Sequence, residues 1–233
     1  MSARTLAVAA LSLAAAGCAT TSSDPRDPLE SVNRAVYAFN DAVDENALRP
    51  AARLYRNVTP SGLRDGVRNF FSNLDDLYIG ANNLLQGKVE QAMSDLMRVA
   101  VNTTLGLFGV IDWASDMGLE KHNEDFGQTL ARWGVGDGVY LVLPLLGPST
   151  ARDAAALPVD WEGDPVYWHT PVDERNALTA TRTIARRADL LGASRTLEEA
   201  ALDRYVFLRE AYLQQRRSQI YDGRPPRERP PAD

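Results

Sequence analysis

The chain has 233 residues, with 25 Lys+Arg against 31 Asp+Glu and a single cysteine. One thiol permits no internal disulfide, and a net charge of −6 without a concentrated basic face excludes a general nucleic-acid binder, which must neutralise phosphates. The length allows one large domain or two small ones with a substantial core.

The cysteine closes a leader. Arg4 precedes an apolar run from Leu6 to Ala16, ending Ala15-Ala16-Gly17-Cys18. A short basic head, an h-region of about ten residues and small residues before a cut mark a secretory signal. The run is too short to span a bilayer as a helix, which needs about 20 residues. Small residues directly before a cysteine resemble the bacterial lipobox, although Ala15 stands where that pattern usually has Leu. The resemblance implies cleavage before Cys18 and acylation of its new N-terminus, and two or more acyl chains give stable anchoring. Ala19 follows where an Asp commonly signals retention at the inner membrane, so the implied destination is the inner face of an outer membrane. Loss of residues 1–17 removes one cation, Arg4, and leaves 24 basic against 31 acidic side chains, a balance of −7. Beyond the leader, the longest apolar runs, Val99–Ile111 and Val139–Gly147, are broken by Asn, Thr, Gly or Pro.

Residues 18–26 read as a lipidated polar tether and 27–223 as one helical domain. Asp27-Pro28-x-Glu30 is a helix start, with Asp27 as N-cap and Pro28 in the first turn. Leu29, Val32, Val36, Phe39 and Val43 follow at spacings of three and four, an amphipathic helix to about Glu45. Arg49–Val58 is a short helix. Thr59-Pro60 opens another with Leu63, Val67, Phe70, Phe71 and Leu74 inward, continued by Leu77, Ala81, Leu84 and Leu85 to a stop at Gly87. Val89–Thr104 carries Ala92, Met93, Leu96 and Ala100 on one side. A Gly-punctuated stretch, 105–111, leads to a short helical turn, and Asp125–Trp133 is a further helix ended by Gly134. Gly134–Pro148 alternates three glycines and then runs apolar, which fits a short hairpin or an apolar loop. Helix resumes at Ser149 and breaks at Pro158–Trp168. Thr170-Pro171-Val172-Asp173 caps a helix to about Leu191, and Thr196-Leu197-Glu198-Glu199 is a capping box for a last long helix to about Tyr221. The Pro-rich, charged segment 224–233 has a disordered composition. The fold class is all-α: a single domain of eight or nine amphipathic helices with one short Gly-rich hairpin or loop. The basic groups Arg182/Arg186/Arg187 and Arg216/Arg217 read as solvated helix faces.

Two long stretches carry a family resemblance. Asp27-Pro28-Leu29-Glu30-Ser31-Val32-Asn33-Arg34-Ala35-Val36-Tyr37-Ala38-Phe39-Asn40 is similar to the opening of the MlaA (VacJ) lipoproteins, with Val32 where the family usually has Phe. Trp133-Gly134-Val135-Gly136 through Leu143-Pro144-Leu145-Leu146-Gly147-Pro148-Ser149-Thr150-Ala151-Arg152-Asp153 resembles that family's Gly-rich segment. Asn102–Gly106, Asp125–Leu130 and Arg209–Tyr212 fit in the same order. The resemblance implies an all-helical, ring-like lipoprotein in the inner leaflet of an outer membrane, associated with a trimeric porin. It implies passage of misplaced phospholipid through an amphipathic channel to a soluble periplasmic carrier, without an ATPase of its own and without a cofactor.

Such a passage has to accept a charged headgroup and apolar tails. Asn33 and Asn40, on or beside an apolar stripe, with Tyr37, Phe39, Leu141 and Leu143, have the composition of its wall. The alternative is that both amides hydrogen-bond within the core, as buried polar groups must. Gly134, Gly136 and Gly138 form either a movable lip, since Gly reaches conformations closed to other residues, or a rigid pinned loop. Gly147-Pro148-Ser149-Thr150-Ala151 falls one residue short of a nucleophile elbow and lacks the repeated β/α context, so Ser149 or Thr150 reads as a helix cap. His122 lacks the further nitrogen or sulfur ligands of a zinc site, and both it and His169 read as surface or turn residues. Gly134-x-Gly136-x-Gly138 has the wrong spacing for a dinucleotide fingerprint. The leading function is a passive, non-enzymatic lipid conduit. The alternative is a non-transporting envelope scaffold bound to a porin, and a Ser149 hydrolase is the third reading.

Overall fold

A computed structural model describes residues 24–226, and also gives the backbone but not the side chains of 196–200. The leader, Cys18, most of the tether and the end of the Pro-rich tail lie outside the described residues. Helix α1 (Glu30–Val43) runs without a break through a π-helical turn (Asp44–Leu48) into α2 (Arg49–Val58). Helix α3 (Ser61–Leu85) begins after Pro60 and turns back at Gln86–Lys88 into α4 (Val89–Thr104), against which it packs along its length. The short α5 (Trp113–Asp116) and α6 (Phe126–Arg132) are each capped by an aspartate, Asp112 accepting from the Ser115 N–H and Asp125 from that of Gln128.

The glycine-rich stretch forms a hairpin. Strands β1 (Tyr140–Leu143) and β2 (Gly147–Thr150) pair antiparallel with Tyr140 opposite Thr150 and Leu143 opposite Gly147. Thr150, not Ser149, caps α7 (Ala151–Gly163) by accepting from the Asp153 N–H. Helix α7 continues through Pro158 to a 3₁₀ turn (Pro165–Trp168), where a break at Pro158 was predicted. Then follow α8 (Val172–Asp189), α9 (Leu191–Ala200) and α10 (Arg204–Ile220). The proposed capping box at Thr196 falls inside α9. The last helix instead starts at Asp203, which accepts from the Tyr205 and Val206 N–H groups. The fold is all-α with one small hairpin.

The predicted stripes are present and Phe71 and Ala92 are buried as expected, but much of the predicted inward face of the central helices is exposed and polar residues fill the interior. On α3 the buried residues include Asn73, Asp76, Asn82 and Asn83, while Leu63, Leu77, Leu84 and Leu85 are exposed. On α4, Asp95, Arg98 and Asn102 are buried, while Val89, Met93, Leu96 and Met97 are exposed. Among the described residues, buried polar side chains outnumber buried hydrophobic ones. Two apolar clusters remain: Ala52, Ala188 and Leu191, with Tyr55 against them, and Tyr140, Val142 and Tyr205 at the hairpin. Among the described residues no helix is long and apolar enough to cross a membrane.

Candidate functional site

Removing charges from water is costly unless each is answered, and here each buried ion sits in a network. Arg98, 1 % exposed, donates to Asp76 (3.2 Å), both oxygens of Asp112 (3.1 Å), Ser115 Oγ (3.1 Å) and the Leu119 carbonyl (2.6 Å). Lys121 completes the pair on Asp76. Burial pushes the Asp76 carboxyl up against the pull of both cations. Burial would also raise Asp112, but the hydrogen bonds from Ser115 and Asn102 and the charge of Arg98 outweigh it and hold it at about 2. His122 is half-buried in a loop: its Nδ1 lies 2.7 Å from buried Asp95, which also accepts from Asn83 (2.7 Å). Of the arginines read as solvated faces, Arg186 is exposed, Arg187 and Arg217 are half-buried, and Arg182 and Arg216 are buried. Arg216 joins Asp125 (2.7 Å) to Asp153 (2.9 Å), and Arg187 holds Asp44 in a two-bond fork.

The residues turned away from these networks frame an apolar groove between α3 and α8. Two adjoining cavities, of about 590 and 320 Å³, share Phe70, Leu178 and Thr181 as walls. Leu74 and Val166 line the larger and Leu63 and Val67 the smaller. The polar part of the larger wall is His169, whose Nε2 lies 2.9 Å from Glu174. Helix α8 is tied to α3 beside the groove by Arg182, which bonds Asp75 and Asp164 (2.5 Å) and stacks 5.4 Å from the Phe71 ring centre. The apolar residues read as the inward stripe of α3 are therefore its wall. The charged clamp was missed because Asp75, Asp164 and Arg182 are far apart in sequence.

The residues proposed from sequence gather elsewhere, at the junction of α1 with the hairpin. Asn33, 2 % exposed, donates to Asp27 (2.8 Å) and the Tyr140 carbonyl (3.1 Å) and accepts from the Val142 N–H (2.9 Å). Asn40 repeats the clasp further along, donating to the Leu143 carbonyl (2.9 Å) and accepting from the Leu145 N–H (2.7 Å). Tyr37 packs edge-on against Tyr205, with ring centres 5.9 Å apart. Phe39 is exposed, and Leu141 and Leu143 are half-buried on the strand face opposite Tyr140 and Val142. None of these lines the α3–α8 groove. Asp27 is not the predicted N-cap: α1 starts at Glu30 after Leu29, with no side-chain cap. Asp27 is fully buried, accepting from Asn33, Tyr205 and Arg209 (3.1 Å), and so ties the chain start to the hairpin and to α10.

Gly134 and Gly138 have left-handed φ of +94° and +69°, and a Cβ on Gly138 would stand 2.8 Å from that of Ala151. Gly136 faces open space. Ser149 is buried, its hydroxyl donating to the Thr150 carbonyl (3.3 Å). Among the described residues no cluster of three or more metal-ligating side chains is present.

The described residues thus form a helical protein with a largely polar, charge-networked interior, many exposed apolar side chains and an open apolar groove. Residues 25–219 match the family described as MlaA lipoprotein, and the chain belongs to that family. It is 35% identical over 205 residues to the intermembrane phospholipid transport system lipoprotein MlaA of Escherichia coli (strain K12), covering 85% of this chain and 81% of that one. The lipoprotein of the same name from Haemophilus influenzae is 32% identical, over 96% of this chain and 93% of its own. A solved structure from work on the "Structural basis for maintenance of bacterial outer membrane lipid asymmetry" superposes with a TM-score of 0.68 at 32% identity, covering 85% of this chain and 99% of that chain.

Proposed function

We propose that this protein is a lipid-anchored outer-membrane component that removes misplaced phospholipid from the outer leaflet and hands it, passively, to a soluble periplasmic carrier. A trimeric porin is the proposed membrane partner, and acyl chains on Cys18 the proposed anchor. The observation that carries the reading is the exposed apolar side chains of the α3–α4 pair together with the apolar groove beside it. Leucines and methionines face outward where acyl chains can solvate them. All four tryptophans, at 113, 133, 161 and 168, are exposed, as suits a belt at the level of the headgroups. The groove supplies apolar walls for tails and the His169–Glu174 pair for a polar end. The same walls, in the scaffold reading, would be a porin seat without lipid flow.

The test fills the groove from its shared wall. Thr181→Trp and Leu178→Trp replace an exposed and a half-buried residue of the groove wall on α8, and circular dichroism checks that the folded state is retained. Strains relying on either variant should accumulate phospholipid in the outer leaflet as a deletion strain does. A normal outer leaflet in both would overturn the conduit and favour the scaffold.

A further inference from the structure

A separate cavity, of about 210 Å³, lies at the π-helical junction, away from the apolar groove. Its charged wall is Asp41, Asp44, Arg49, Arg187 and Arg204, with Ser194 beside them. The π turn creates this wall. In an α-helix, residues five apart diverge by about 140° around the axis; here the Arg49 N–H bonds the Asp44 carbonyl, and the Arg49 Nε reaches the Asp44 carboxylate at 3.2 Å. Single π turns recur at functional sites.

Among the described residues, the guanidinium groups lining the cavity outnumber its carboxylates. Asp44 answers two guanidinium groups, Arg187 through bonds of 2.6 and 2.8 Å and Arg49 at 3.2 Å. The hydrogen bond from Arg187 holds the Asp44 carboxyl below the usual carboxylate range, so it stays an anion. Arg204 adds a third cation against the two carboxylates. It is exposed and, among the described residues, has no hydrogen bond or ion pair. Its neighbour Asp203 is committed to Arg34 (2.8 Å) and to the helix cap. A cation in the first turn of α10 also opposes the helix dipole. Ser194 Oγ accepts from Arg187 (3.2 Å), which leaves its own proton to donate.

We propose that this cavity binds a phosphate-type oxyanion, a mono- or diester, between the Arg204 guanidinium, the Ser194 hydroxyl and the outer edge of Arg187. Guanidinium groups meet phosphate through paired, charge-assisted bonds, and the cavity has room for a headgroup but not for acyl chains. The source is a phospholipid headgroup or a soluble phosphate ester. Only the lipid source rests on the transport reading.

The test uses the full-length lipoprotein in a non-ionic detergent. Glycerol 3-phosphate is titrated calorimetrically, and flotation is measured with zwitterionic vesicles with and without an anionic phosphodiester lipid. Saturable glycerol 3-phosphate binding is expected, weakened about tenfold or more by Arg204→Gln and less by Ser194→Ala. Arg56→Gln, an exposed arginine outside the cavity, should bind as the parent does. Added flotation with anionic lipid that Arg204→Gln removes would assign the lipid source, whereas ester binding without it would assign a soluble one. Absence of saturable ester binding, or equal affinity in Arg204→Gln, would overturn the site. Neither result bears on the groove, whose own test is the plugged variants.

Discussion

Replacing Asn33 by Leu, a residue of similar size, separates a clasp from a channel wall. The change leaves the Val142 N–H without its acceptor at 2.9 Å and removes the donor from the Tyr140 carbonyl and Asp27. A buried polar group left unpaired costs about 1–3 kcal/mol. Asp27 keeps Tyr205 and Arg209, so the sum is about 3–5 kcal/mol. For a domain of this size each kcal/mol lowers the melting midpoint by about 2–4 °C, giving a fall of roughly 10 °C. Asn40→Leu breaks the outer clasp, but water can reach the freed Leu145 N–H, so the loss is about 1 kcal/mol. Thermal unfolding followed by circular dichroism in non-ionic detergent measures both, and hydrogen exchange at the Val142 and Leu145 amides locates them. An Asn33→Leu protein as stable as its parent, or less affected than Asn40→Leu, would refute the clasp. So would impaired lipid handling at unchanged stability, the outcome that a lining role requires.

In the Gly-rich lead-in to β1, Gly138→Ala should lower stability by about 1–3 kcal/mol, from positive φ and the contact with Ala151, while Gly136→Ala should stay within about 0.5 kcal/mol; thermal midpoints of the pair decide whether the segment is pinned at its C-terminal end. Stability should peak at mildly acidic pH. Asp44, Asp112 and Asp153 titrate below their ordinary value when folded, so their contribution is present above about pH 4 and lost as pH falls toward about 2. Burial raises Asp76, Glu124 and Asp160; the folded state then binds the extra proton, and stability falls as pH rises through their raised values. Urea midpoints across pH check this: Asp112→Asn should flatten the acid limb and Asp160→Asn the opposite one, and unchanged limbs would contradict the assignment.

Much of the helical order is legible in local chemistry. Pro60 opens α3, Gly87 follows its end with a φ of +78°, and the caps at Asp112 and Asp125 form as aspartates at helix starts do. What escaped is set by contacts distant in sequence. Pro158 does not stop α7, because Asp160 beyond it is fixed by the Tyr78 hydroxyl (2.8 Å) and the Phe126 N–H (2.9 Å). The Thr196 box does not start a helix, because α9 already begins at Leu191, which packs on Ala52 and Ala188. Asn33 and Asn40 stood out correctly as polar residues at an apolar helix face. Their partners are backbone groups of the hairpin, about a hundred residues away, and no local pattern names them. The α3–α8 groove was read only as a hydrophobic stripe.

The exposed apolar faces of α3 and α4 mark a limit of periodicity itself. A period of 3.6 defines two stripes, but which one faces inward depends on the surrounding medium. A signal was present: Asn73, Asp76 and Asn83 on α3, and Asp95, Arg98 and Asn102 on α4, recur at helical spacing. A surface stripe exposed to water has no need of that many amides and matched charges. In an apolar environment there is little hydrophobic drive to hold helices together, and association relies on packing and polar contacts between them. The small extent of the two apolar clusters and the reach of the buried networks fit that regime, with Asp27 joining the chain start to Tyr205 and Arg209 on α10. Removing one ion from such a network leaves its partner buried and unanswered, a loss of about 3–5 kcal/mol. Among the described residues, the buried charges and amides therefore hold together what the two apolar clusters alone do not span.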